Sequence, residues 1–205
     1  KNLGQYKRLG TTIDDAIGEA FDKTAKLLGI DFPGGPQIEI LAKKGNPDKY
    51  NLPKPIFNKG GCNLSFAGLK TAILKITKEI KTDQEKFDIA ASFQKTINEI
   101  LYKKTKIAFG QYEKQIKPKE KKFVVAGGVA ANKEIRNVLI NLCKEKNYNP
   151  IFPPIELCGD NAAMIAVVGL EKFKLKKFDN LDHPVKPRWP LDDKAVFLKG
   201  AGVKL

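Results

Sequence analysis

The chain has 205 residues, 42% apolar and 29% charged, which is enough to bury a real core in one or two domains. Its formal net charge is +14, no apolar run approaches the length of a membrane span, and residues 1–10 hold no signal-peptide core. Three widely spaced cysteines and a single histidine, His183, disfavour a disulfide framework, a four-cysteine zinc site, and any two-histidine metal site built from this chain alone. A reducing, cytoplasmic setting fits that cysteine usage. No nucleophile motif points to His183, so Ser-His-Asp and Cys-His chemistry are disfavoured as well. The chain opens on Lys1 rather than Met and is expected to be a piece of a longer polypeptide.

The first element is an acidic helical segment beginning at Asp14, DDAIGEAFDKTAKLLGIDFPGGP. Asp15, Glu19 and Asp22 recur at i, i+4 and i+7 and so share one face, with Ile13, Ala16, Ala20, Leu27 and Leu28 opposite. Like charges at such spacing repel. The face therefore calls for a cation, backbone donors or a basic substrate, unless it is a plain solvated surface. Residues 31–36 (DFPGGP) stop the helix and offer two glycines where a backbone could come close to a ligand.

A loop-rich stretch follows over 34–64, with Pro36, Pro47, Pro53 and Pro55 and a short helix over 38–42. The run SFAGLKT (65–71) opens a helix whose stripe is Leu69, Ala72, Ile73, Ile76 and Ile80. A longer helix is expected over 83–109, with Phe87, Ala90, Phe93, Ile97, Ile100, Leu101 and Ala108 inward. Residues 122–126 (KFVVA) read as a buried strand, 133–147 as a helix, and 151–152 as a short strand ended by Pro153-Pro154. Residues 162–173 form an almost wholly apolar helix, expected to be buried on most sides. Three prolines keep 183–190 from being regular helix. The alternation of strands and helices indicates an α/β architecture with a short central sheet.

The basic excess is 37 Lys and Arg against 23 Asp and Glu, and the arginines are Arg8, Arg136 and Arg188 alone. Lysine suits phosphate backbones, whereas base edges are read mostly by arginine's planar fork. The dense runs at 103–122 and 172–177 are open to two readings, solvated helix faces or a nucleic-acid surface.

Two strand-to-helix junctions carry the chemistry. Gly127-Gly128-Val129-Ala130-Ala131-Asn132 lets a backbone approach a phosphate or ribose, and Asn132 either caps the next helix or bonds a ligand hydroxyl. Cys158-Gly159-Asp160-Asn161 repeats the topology, with Asp160 either an N-cap or a hard oxygen donor to a metal. The acidic face of Asp15, Glu19 and Asp22 would add a third wall.

DDAIGEAFDKTAKLLGIDFPGGP, SFAGLKT, AGGVAAN, CGDNAAMIA and KPRWPLD occur in this order from about Gly4 to Asp192. In this register the chain resembles the bacterial tRNA N6-adenosine threonylcarbamoyltransferase family, formerly labelled O-sialoglycoprotein endopeptidase. That family belongs to the actin-like ATPase/sugar kinase/Hsp70 superfamily, with its ribonuclease H-like fold. The resemblance implies transfer of threonylcarbamoyl from threonylcarbamoyl-AMP to N6 of the adenosine beside the anticodon in tRNAs reading A-starting codons. It implies that Asp22, Gly35 and Asn132 contact the nucleotide, and that Asp160 is the carboxylate ligand of a single metal, usually iron and sometimes described as zinc. The implied partners are tRNA, an inactive paralogue of the same superfamily, a small P-loop ATPase and the synthase that makes threonylcarbamoyl-AMP.

The resemblance also implies what is missing. The family's two metal-binding histidines, in an HxxxH motif, belong to an N-terminal lobe absent here. Residues 1–192 are then an incomplete C-terminal lobe and 193–205 a tail, expected to be inactive alone. The alternative function is a non-catalytic dimerisation partner or scaffold of the same tRNA-modification complex. A metalloprotease ranks last, since nothing in the chain supplies a histidine-bound water and a general base.

Overall fold

The structure, a computed structural model, describes residues 4–185, 190–192 and 194–195. It is a mixed assembly in which helices pack against a short parallel sheet. Helices α1 (Ile17–Leu27), α2 (Gly34–Ala42), α3 (Ala67–Thr77) and α4 (Asp83–Ile116) come first. Strand β1 (Lys122–Val124), a 3-10 turn (Gly128–Ala131) and α5 (Lys133–Lys146) follow. The chain then forms β2 (Asn149–Ile151), a second 3-10 turn (Ile155–Leu157) and α6 (Ala162–Lys174). Strands β1 and β2 pair in parallel, Lys122 opposite Asn149 and Val124 opposite Ile151, with α5 as the crossover. Among the described residues no helix is long and apolar enough to cross a membrane.

The spine is α4, at 34 residues about 50 Å long. It starts cleanly because Thr82 accepts from the Glu85 N–H while Glu85 reaches back to the Thr82 N–H at 2.9 Å, a reciprocal cap. Its stripe of Ile89, Phe93, Ile97 and Ile100 is buried against Phe21 of α1, Ile38 of α2 and Leu69 and Ile73 of α3. Burying each such side chain contributes roughly 1.5–3 kcal/mol. The Phe21 and Phe93 rings meet edge to face at 4.9 Å.

Several elements differ from their expected form. Helix α1 starts at Ile17 rather than Asp14, because the Asp14 side chain is committed elsewhere. It accepts from the Phe66 N–H at 2.7 Å, the Ala67 N–H and the Ser65 hydroxyl, and so caps the start of α3 from 52 residues away. Helix α2 begins at Gly34 rather than at residue 38, so both glycines are helical. Helix α4 runs to Ile116, seven residues past the expected end.

Strand β1 ends at Val124, which is 62% exposed rather than buried, because the two-stranded sheet has helices over one face and only Phe123 turns inward. Helix α6 departs furthest from expectation: it has no buried residue, and Ile165 (74%), Val167 (61%) and Phe173 (67%) face outward. Its apolar surface has no cover among the described residues. Most of the KPRWPLD motif, 186–189, lies outside those residues.

At the far end of the sheet Phe109 of α4 stacks on Tyr148 at 3.7 Å. Burial pushes the Tyr148 phenol up to about 12, with Glu113 beside it acting in the same direction. The raised value stabilises the fold fully below the unfolded phenol value of about 10, and that contribution is lost as pH climbs toward 12. Urea unfolding of wild type and Tyr148→Phe should therefore diverge between about pH 9 and about pH 12, wild type losing stability faster. A difference independent of pH would refute this.

Candidate functional site

The carboxyl ends of the two strands open toward the α1–α2 corner, the usual place for a ligand in such sheets. There a cleft of about 570 Å³ is lined by Phe21, Asp22, Phe32, Gly35, Glu39, Val129, Asn132 and Ile155, among others. Its walls come from α1, α2, both 3-10 turns and the start of α5. Most of the lining is apolar, and the volume suits a nucleotide-sized molecule.

The acidic face is resolved by its own neighbours. Lys23 pairs with Asp15 at 2.8 Å and Glu19 at 2.6 Å. Those bonds raise the Lys23 ammonium, Asp15 contributing most, and the Lys23 bond holds Glu19 below the usual carboxylate range. Asp15 is buried by this pairing and is not part of the cleft. Asp22 is placed differently: one carboxylate oxygen accepts from the Gly34 N–H at 2.9 Å, while the other has no hydrogen-bond partner among the described residues. So a cation and a backbone donor, both supplied from within the chain, offset the repulsion, and one acceptor remains for the cleft.

The two glycines divide their work. A Cβ on Gly34 would sit 2.4 Å from the Ala25 Cβ and 3.0 Å from the Asp22 Cα, so this residue lets α2 touch α1. Gly35 has nothing within 4 Å and faces the cleft. Gly127, at φ +93°, turns the chain out of β1.

Asn132 is a helix cap, the simpler of its two readings. Its side-chain oxygen accepts from the Ile135 N–H at 2.9 Å, and its amide donates to Gln94 at 2.9 Å. Gln94 in turn donates to Asn98 at 2.9 Å, tying the head of α5 to the spine helix. Asp160 is not an N-cap: Asn161 takes that position on α6, accepting from the Met164 N–H at 3.2 Å. Asp160 is exposed and does not line the cleft. The structure thus brings Asp22, Gly35 and Asn132 to one place and leaves Asp160 outside it.

A metal needs more than Asp160. Among the described residues no three His, Cys, Asp or Glu side chains cluster closely enough to hold one. These residues alone do not fit a metal.

Three residues at or beside the cleft were not singled out by the sequence. Glu39 lines the cleft and its carboxylate accepts from the Lys133 N–H at 3.2 Å, bridging α2 to the start of α5. Its spacing of four from Gly35 on one helix was the available signal. Phe32, 83% exposed, stands at the mouth. Arg136 joins the two strand-helix turns: it donates to the Ala130 carbonyl, to the Pro153 carbonyl at 2.9 Å and to Cys158 Sγ at 3.2 Å, and stacks over Phe152.

A family model described as tRNA N6-adenosine threonylcarbamoyltransferase matches residues 1–167. The chain belongs to this family. The protein of that name from Pelagibacter ubique is 76% identical over 205 residues, covering 100% of this chain and 57% of its own length. One from Rickettsia rickettsii is 54% identical over 194 residues, 93% of this chain and 56% of the relative. One from Rickettsia bellii is 51% identical over 193 residues, 93% of this chain and 57% of the relative. The chain therefore spans a little over half the length of the curated relatives it matches.

Proposed function

We propose that this chain is part of an acyltransferase that moves threonylcarbamoyl from threonylcarbamoyl-AMP to N6 of the adenosine beside the anticodon of tRNA. In that reaction the adenosine amine attacks the carbamoyl carbon and AMP leaves. The observation that carries the reading is the convergence of Asp22, Gly35 and Asn132, 110 positions apart at the extremes, on one cleft.

The cleft's chemistry supports an adenylate there. Phe21, Phe32, Val129 and Ile155 offer apolar surface to a purine. Carboxylates at Asp22 and Glu39 repel phosphate and accept from hydroxyls, so they suit a ribose. The backbone beside Gly35 lets the ligand come close. Asn132 and Gln94 hold the head of α5 in place. No residue of this chain is assigned as the catalytic base.

The lobe, the metal and the partners are part of the same proposal. The uncovered α6 supports a further stretch of protein packing there, as expected for one lobe of the two-lobed actin-like fold. Asp160 is proposed as one oxygen donor to a divalent metal, iron or zinc, whose other ligands come from outside this chain. A paralogue, a small P-loop ATPase and a cytoplasmic setting complete it. Non-catalytic service as a dimerisation partner is the competing reading.

The test uses the full-length polypeptide containing this chain, titrated with AMP in a calorimeter. Wild type is expected to bind, and Asp22→Ala to weaken binding by about 10-fold or more, the loss of one charge-assisted hydrogen bond. Equal affinities would sink the assignment of the cleft. Threonylcarbamoylated tRNA made by the full-length protein with its partners would exclude the scaffold reading.

A further inference from the structure

Helices α4 and α5 lie side by side and point the same way. Gln94 meets Asn132 at the cleft end, and Phe109 meets Tyr148 at the other. The carboxyl ends of both helices and the starts of both strands thus gather at the pole opposite the cleft. From Gln94 to Lys114 is 20 helical residues, about 30 Å.

Much of the lysine-dense run over 103–122 lies at this far pole, where Lys144 and Lys146 join it. Lys106 and Lys146 share Glu145, Lys121 pairs with Glu113 and Lys122 with Glu120, at 2.6–3.1 Å. Lys114, Lys117, Lys119 and Lys144 are exposed and have no carboxylate within ion-pair reach among the described residues. Helix dipoles favour cations in the last turn, which accounts for Lys114 and Lys144 but not for Lys117 and Lys119, which lie past the helix end. Lys117 moreover holds the left-handed position closing α4 at φ 48°, where glycine or asparagine is favoured; Asn147 fills the matching position of α5. Four exposed lysines without a carboxylate partner at one pole, with no arginine among them, match a sequence-independent polyphosphate backbone rather than base edges.

We propose that this pole is an RNA-docking surface that grips phosphates about 30 Å from the cleft, so that the protein engages the body of the tRNA as well as its anticodon loop. The inference rests on the functional reading above.

In the full-length protein, Lys114→Glu, Lys117→Glu and Lys119→Glu together are compared with an equal charge change at Lys75, Lys78 and Lys81 on and just beyond α3. Affinity for an unmodified tRNA transcript is measured across salt concentrations, alongside AMP affinity. The pole variant is expected to weaken tRNA binding by about 10-fold or more and to flatten the log–log salt slope by about 2, with AMP binding unchanged. The α3 variant is expected to stay within about twofold of wild type. Equal losses from both variants would reduce the effect to net charge and overturn the surface. So would tRNA binding that the pole variant leaves intact. A wild type that binds AMP but no tRNA at any salt overturns the surface and tRNA as substrate together, whereas one that binds tRNA but not AMP overturns the cleft alone.

Discussion

Gly34→Ala should unfold this protein about 5–10 °C earlier than wild type, a large effect for one methyl group. The added Cβ would meet the Ala25 Cβ at 2.4 Å, and neither atom can step aside because both sit on helix backbones. Helices α1 and α2 must move apart, at about 2–3 kcal/mol for an overpacked contact. The same movement pulls the Gly34 N–H from Asp22, so AMP affinity should fall with stability. The second arm of the test is Ala25→Gly with Gly34→Ala. Removing the opposing Cβ should restore most of the loss, less the ~1 kcal/mol that glycine costs inside a helix. Thermal unfolding of the four proteins in this cycle measures the coupling. If Gly34→Ala unfolds within a degree of wild type, the close approach is not what holds that corner.

Arg136→Ala should cost about 2–3 kcal/mol and loosen the cleft by about 10-fold or more in AMP affinity, although Arg136 does not line the cleft. One guanidinium serves the Ala130 carbonyl on the first turn and the Pro153 carbonyl before the second, while covering Phe152. Val129 and Ile155 reach the cleft from those two turns, so their relative position depends on that single fork. Lysine should rescue little, since a point charge cannot satisfy two carbonyls and stack on a ring together. Urea unfolding and AMP calorimetry on both variants check this. Full affinity in Arg136→Lys would show that charge alone is needed there.

Local pattern carried much of the fold. The stripe from Phe87 to Leu101 is long and strictly periodic, so the spine helix was readable, as was α5. What failed were properties that depend on distant chain. Asp14 read as the first residue of its own helix because nothing nearby reveals that residues 65–67 will need a cap. Gly34 and Gly35 read alike as places for a ligand, yet one is spent on a helix contact that only the folded α1–α2 corner creates. Helix α6 read correctly as apolar, but periodicity cannot say what covers a helix. In the site, the offsetting of the carboxylates was anticipated and Lys23 was in plain view, four residues after Glu19. Arg136 could not be found from spacing, because its partners belong to two turns that sequence alone does not place side by side.

The carboxylate of Asp14 closes a loop of 52 residues to supply the first turn of α3. A helix capped from within its own sequence can begin its first turn without distant chain. This one cannot, because its missing acceptor arrives only when residues 11–15 have settled beside Leu64. Helix α3 is therefore expected to consolidate late, its order bound to that of the segment leading into α1. The two should open and close as one cooperative unit on the native-state exchange timescale, with no independent fraying at the head of α3.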